Sequence, residues 1–158
     1  MNFNQYLYTI VVIFFMLFTI YSCTKSEKKV ETECFTKAID QAWVDSDYQW
    51  IVVLPGLGCH GCIQEGEAFM RDNIESKNIL FVLTKISSLK ILQHKTGIDI
   101  AIHSNIYVDR EDVFYVPTNN SIYPCIIHMK DGNVAGHEFQ SPGNGTAFRK
   151  LESLVLVQ

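Results

Sequence analysis

The first 22 residues contain no Lys, Arg, Asp or Glu. The chain also lacks a basic cluster beyond Lys28-Lys29, any internal repeat, and any run of glycine or proline. Each of these lacks excludes something. With 13 basic against 17 acidic side chains and a net charge of −4, the surface is not one that coats nucleic acid, and no nucleic-acid partner is expected. Nine glycines and four prolines, all scattered, exclude collagen-like and low-complexity chains. The missing repeat argues against solenoids. All charge is confined to the remaining 136 residues, enough for one domain with its own core.

What the front end does have is grease. Ile10 to Phe18 is an unbroken apolar run, and the whole apolar stretch, Tyr6 to Tyr21, is 16 residues long. A bilayer core wants about 20 residues of helix, so the stretch fits the h-region of a signal peptide better than a stable span. Ile20-Tyr21-Ser22-Cys23 follows and resembles a bacterial lipobox, in which the chain is cut before a cysteine whose thiol is lipidated. The bulky Tyr21 and the absence of Lys or Arg in Met1–Tyr8 depart from that pattern, and an uncleaved N-terminal anchor is the plain alternative. Either way the domain is expected in the bacterial cell envelope, anchored to a membrane and facing the periplasm or the exterior. The organisation read from the sequence is a lipoprotein-type signal peptide over 1–22, a polar tether over 23–33, and a folded domain over 34–158.

Phe35, Ala38, Ile39, Ala42 and Trp43 fall at helical spacing, predicting a helix over about Glu33 to Val44. Trp50 to Leu54 and Ile79 to Thr84 read as buried strands. Cys59 to about Asn73 and Ser88 to about Thr96 read as helices, the second closed by Gly97. Ile106-Tyr107-Val108 reads as a short strand and Asp109 to Ser121 as a loop that can hold a helical turn. Pro124 to Lys130 and Asn133 to Phe139 flank Asp131-Gly132, a strong hairpin signal. Thr146 is placed to cap a last helix bearing Phe148, Leu151, Leu154 and Val155. Alternation of strand and helix implies an α/β domain with a mixed sheet covered on both faces. Trp43 and Trp50 read as core; His94, His103 and His137 read as surface or loop, and His128 as paired or half-exposed on a strand.

The chemistry lies in the cysteines. Cys59-His60-Gly61-Cys62 sits where a strand hands over to a helix. Unpaired N–H groups and the positive dipole end of a helix stabilise a thiolate there. Cys59 is then the exposed attacking sulfur and Cys62, one turn in, the buried resolving sulfur. His60, when protonated, favours the Cys59 thiolate. Two other readings of CxxC stay open. A zinc site needs a second pair of ligands, but Cys34 and Cys125 stand alone and the histidines show no paired spacing; no metal ligands are assigned. An inert structural disulfide is the other. Cys125 reads as a third redox thiol or, more simply, a small buried residue. A Cys34–Cys125 pair has no spacing rule behind it.

A buried strand, CxxC opening a helix, then Tyr123-Pro124, a strand, Asp131-Gly132 and another strand looks like the thioredoxin fold. Cys62-Ile63-Gln64-Glu65 resembles the CxxCxxE pattern of the TlpA-like branch of membrane-tethered thiol–disulfide proteins. The likeness runs over about Tyr48 to Val157. It implies a thioredoxin-like three-layer α/β/α sandwich with a mixed central sheet and a C-terminal hairpin plus helix, a redox-active Cys59–Cys62 disulfide, and no cofactor. It further implies a cis bond at Pro124 that turns the Tyr123 backbone toward Cys59 for substrate pairing, with a trans proline starting a strand as the alternative. This sequence departs from the family in its Pro55-Gly56-Leu57-Gly58 lead-in, and in Val53, where plain thioredoxins keep a buried acid. Glu65 is a candidate replacement for that acid, or a solvated helix-face carboxylate.

The expected function is an envelope thiol–disulfide oxidoreductase acting on protein thiols and disulfides, supplied by an upstream envelope electron donor. Two rivals remain: a copper-handling protein using Cys59, Cys62 and a His, and a non-catalytic binding lipoprotein on the same fold.

Overall fold

The computed structural model describes residues 26–155; the expected signal peptide and the expected lipidation site at Cys23 lie outside them. In chain order the elements are α1 (Glu27–Gln41), β1 (Trp50–Pro55), α2 (His60–Asn73), β2 (Ile79–Thr84), α3 (Leu89–Thr96), β3 (Ile106–Asp109), a 3₁₀ turn (Asn119–Ile122), β4 (Cys125–Lys130), β5 (Asn133–Phe139) and α4 (Ala147–Val155). The five strands form one mixed sheet in the order β3-β2-β1-β4-β5. β1 is parallel to β2, and β2 to β3. β4 runs antiparallel to β1 with Val53 opposite Cys125, and β5 antiparallel to β4. The carboxyl end of β1 and the amino end of β4 therefore share one pole of the domain.

β1 and β2 are apolar on both faces because both faces are covered, as is usual of parallel strands. One face packs Val52, Leu54, Phe81 and Leu83 against Phe69 and Met70 of α2, Leu92 of α3, and Phe148 and Leu151 of α4. The other packs Ile51, Val53, Val82 and Ile127 against Phe35, Ala38 and Ile39 of α1 and against Phe114 and Val116 of the loop before the 3₁₀ turn. The expected α/β class with a mixed, doubly covered sheet is thus the observed one, with three helices on one face and a single helix plus a loop on the other.

Local signals were largely legible. Ser88 Oγ accepts the Ile91 N–H at the start of α3, and Gly97 closes that helix at φ 74°. Asp131 and Gly132 both take positive φ, as a two-residue hairpin turn needs. The cap of α4 is different from the expected one. The Phe148 N–H goes to Gln140 Oε1 at 3.3 Å, whereas Thr146 Oγ1 faces Asn144 Oδ1.

α1 departs from expectation at both ends. It begins at Glu27, so most of the expected tether is its first two turns. It stops at Gln41, and Trp43, expected in the core, is 91% exposed. The reason is a Schellman-type stop. Trp43 takes φ 51°, its N–H reaches Asp40 O, and the Val44 N–H reaches Ile39 O at 3.2 Å. That reversal brings Val44 into the packed layer and throws Trp43 outward.

The added first turns matter because they carry Glu31, which is 3% exposed. Its Oε1 accepts from Thr118 Oγ1 at 2.6 Å and Asn120 Nδ2 at 2.8 Å. Its Oε2 pairs with His137 Nε2 at 2.9 Å, whose side chain is 2% exposed. The His137 side chain, expected at the surface or in a loop, is therefore buried. A β-bulge explains it: His128 opposes Gly136 but Met129 opposes Val134, so Ala135 is the extra residue. The slip puts Val134, His137 and Phe139 toward the same layer. Burial by itself would raise the Glu31 carboxyl, but the hydrogen bonds from Thr118, His137 and Asn120 outweigh it and hold it below its ordinary value.

Two outcomes follow for stability. Glu31→Ala leaves buried donors without an acceptor and is expected to cost about 3–5 kcal/mol of unfolding free energy at neutral pH, read by urea titration. Because the folded carboxyl is depressed, its contribution is complete above the ordinary value of 4.5 and is lost as pH falls below it. The wild-type pH–stability curve should accordingly drop more steeply on the acid side than that of Glu31→Gln.

Candidate active site

β1 ends at Pro55, and the chain crosses to α2 through Gly56-Leu57-Gly58. Both glycines are fixed by close backbone approach. A Cβ on Gly56 would lie 2.9 Å from Ile86 Cα, with the Lys85 carbonyl nearer still. Gly58 has φ 149°, and its Cβ would lie 2.9 Å from Ile122 Cα, with the Ile122 carbonyl oxygen closer. Cys59 then caps α2 with extended backbone (φ −65°, ψ 102°). Its N–H donates to Ile122 O at 3.0 Å, and its C=O accepts the Ile63 N–H at 2.9 Å. The segment before Pro124 is therefore fastened directly to the first cysteine.

Cys59 and Cys62 form a disulfide with Cα atoms 5.4 Å apart. Cys59 is half-buried and Cys62 is 8% exposed, the ordering expected of an outer and an inner sulfur. Cys59 is the N-cap and Cys62 the third residue of a 14-residue helix, the end of a helix where backbone N–H groups lack intrahelical partners. His60 is exposed on the first helical residue.

Three expectations about the surroundings are corrected. Among the described residues no peptide bond is cis, so Pro124 is joined in trans. Tyr123 is extended (φ −109°, ψ 147°) after the 3₁₀ turn, the conformation a residue before proline prefers in any case. Second, the backbone group at Cys59 belongs to Ile122. The Tyr123 N–H is spent on Asn120 O, because the 3₁₀ turn closes on it. Third, Glu65 is exposed on α2, and its carboxylate is held by Gln140 Nε2. Gln140, 3% exposed, so ties α2 to the start of α4, and Glu65 is the helix-face carboxylate of its two readings, with Gln140 as its partner.

Cys125 is 2% exposed and directly across from Val53. Burial pushes its thiol well up, and Glu31 and Glu138 add to the rise. It is the buried small residue, not a third redox thiol. Cys34 and Cys125 are both free. Among the described residues no three His, Cys, Asp or Glu side chains gather as metal ligands would, so a Cys59–Cys62–His copper set is not assembled. His128 is exposed and stacks on Trp50 with centroids 4.5 Å apart.

Sequence reasoning missed Glu31, His137, Gln140 and Ile122. Glu31 had a signal: it lies four residues before Phe35, on the inward stripe of α1. The other three depend on the bulge and the loop path, which leave no local trace. Compared with protein-family models, curated proteins and solved structures, the chain matches none.

Gly58→Ala is expected to cost about 1–3 kcal/mol and to release the Cys59 N–H from Ile122, seen as faster amide exchange at Cys59. After reduction, iodoacetamide at neutral pH should label Cys59 and leave Cys125 unmodified until the protein is unfolded, as read by mass spectrometry.

Proposed function

We propose that the chain is a thioredoxin-like thiol–disulfide oxidoreductase of a bacterial cell envelope, attached to the membrane through its N-terminal segment with a lipid on Cys23 and facing the periplasm or exterior. The observation that carries this is the Cys59–Cys62 pair at the junction of a doubly buried strand and a long helix. The outer sulfur is reachable there, the inner one is covered, and helix N–H groups favour a thiolate. The element order supports the fold reading. A parallel β1-α2-β2 unit and an antiparallel β4-β5 hairpin on one mixed sheet, closed by α4, are compatible with a thioredoxin-like sandwich.

The chemistry balances as two-electron exchange. With the pair oxidised, a substrate thiolate attacks Cys59 Sγ, the Cys59–Cys62 bond breaks, and Cys62 leaves as thiolate. A second substrate thiolate then attacks the substrate sulfur of the mixed disulfide and expels Cys59. The substrate gains a disulfide; the pair holds two electrons and takes up protons as a dithiol. The reverse sequence reduces a protein disulfide, with an envelope dithiol protein as the electron source.

The detergent-purified full chain is expected to accelerate insulin reduction by dithiothreitol, and Cys59→Ser to fall to the uncatalysed background. Cys62→Ser should accumulate a mixed disulfide at Cys59, visible as a mass shift on non-reducing analysis. No acceleration by the wild-type chain would leave a binding module.

A further inference from the structure

The geometry points to a redox pole that faces the membrane, so that the substrates are cysteines of membrane-anchored or membrane-embedded proteins close to the bilayer surface. This rests on the redox reading and on membrane attachment through the N-terminal segment. It adds a direction and a substrate class that neither contains.

The argument begins with where the chain enters the domain. α1 begins at Glu27, beside Ile122 and Tyr123, and ends at Gln41, nine positions before β1 opens at its far end. Glu31, in its second turn, accepts from Thr118 and Asn120 of the segment leading to Ile122 and pairs with His137 of β5. Its last turn hands over to Trp50, the far end of β1. Glu27, the first helical residue, borders the same open groove as Thr118, Ser121, Ile122 and Tyr123, and Ile122 O holds the Cys59 N–H.

The length of the connection does the rest. From Cys23 to Glu27 is four residues, which reach at most about 14 Å when fully extended. A lipid on Cys23 and an uncleaved apolar segment ending at Ser22 both put the bilayer at this end of the chain. A connection that short cannot wrap the domain: β1 alone, six residues long, spans about 20 Å. The far pole, with Trp43 and Trp50, is thus held away from the bilayer while the disulfide is held toward it.

The surface at that pole suits the location. Leu57 beside the disulfide is 65% exposed, Tyr115 46% and Ile122 44%. Lys28 and Lys29 are exposed in the first turn of α1, and Lys85 Nζ lies 4.4 Å over the Tyr115 ring. Apolar and aromatic side chains rimmed by lysines fit the headgroup region of an anionic membrane, and a partner segment emerging from it.

The test uses the full-length chain in vesicles of mixed zwitterionic and anionic lipid carrying brominated acyl chains. Emission from the native Trp43 and Trp50 should be unquenched, while Leu57→Trp, or Ile122→Trp should the first misfold, adds emission that is quenched. Quenching of the native tryptophans, or none at the redox pole, overturns the proposal, as does failure of the chain to stay with the vesicles. The second arm measures exchange with one disulfide peptide, either lipid-anchored in the same vesicles or free. The anchored peptide should react about 10²-fold faster, and a 30-residue Gly/Ser insertion after Thr24 should reduce that preference severalfold. An unchanged preference would mean shared surface concentration alone and would overturn the oriented pole. Oxidation of dithiothreitol by the same vesicles reports separately whether the pair is redox-competent.

Discussion

At the end of β1 two backbone crossings leave no room for side chains, and the site depends on that constraint. Gly56 passes under Lys85-Ile86, and Gly58 passes under Ile122. Any Cβ at either position would have to displace main chain, which has no rotamer to give. The crossings therefore fix the path of four residues between a strand buried on both faces and a helix, and they fix Cys59 against the Ile122 carbonyl. An incoming group meets the pair at the outer sulfur, because Cys62 is buried while Cys59 is half-buried.

Holding Ile122 in place is a second problem, and it is solved electrostatically. The loop that ends in the 3₁₀ turn packs Phe114 and Val116 under the sheet, but apolar contacts alone leave its register loosely set. Glu31 supplies direction. One carboxylate accepts from two residues of the loop and pairs with a strand residue on the opposite side. Burying a carboxylate is costly unless its partners are arranged in advance. Here three partners from separate elements converge, and the carboxyl is held below its ordinary value despite burial. Burial pushes the Cys125 thiol, one residue from Pro124, well above its ordinary value, and the charges of Glu31 and Glu138 add to the rise.

What could be read from the sequence follows from the range of the interactions. Ser88, Gly97 and Asp131-Gly132 act within four residues, and each was legible. The Cys59-His60-Gly61-Cys62 placement was legible because hydrophobic runs mark where β1 stops. Trp43 was misread since i+8 spacing assumes the helix continues, and a left-handed residue other than glycine gives no composition signal. His137 was misread because one bulged residue inverts the face of everything after it. The trans bond at Pro124 and the substitution of Ile122 for Tyr123 as the partner of Cys59 belong together. The 3₁₀ turn lies just before both, and Asn120 in it donates to Glu31, 89 positions away in the sequence.

The proton balance of the proposed exchange is where this chain differs most from the family it resembles. Val53 occupies the position of the usual buried acid and packs in the apolar layer. Glu65, the nearest replacement in sequence, is committed to Gln140 and through it to the start of α4. Moving that carboxylate in toward Cys62 would leave the buried Gln140 Nε2 without its acceptor. The resolving thiol must then lose its proton to solvent or to the departing partner. Exchange limited by that step should favour partners that bring their own base or a low-pKa thiol. On the proposed orientation toward a membrane surface, proximity would supply the rate that a built-in base would otherwise provide.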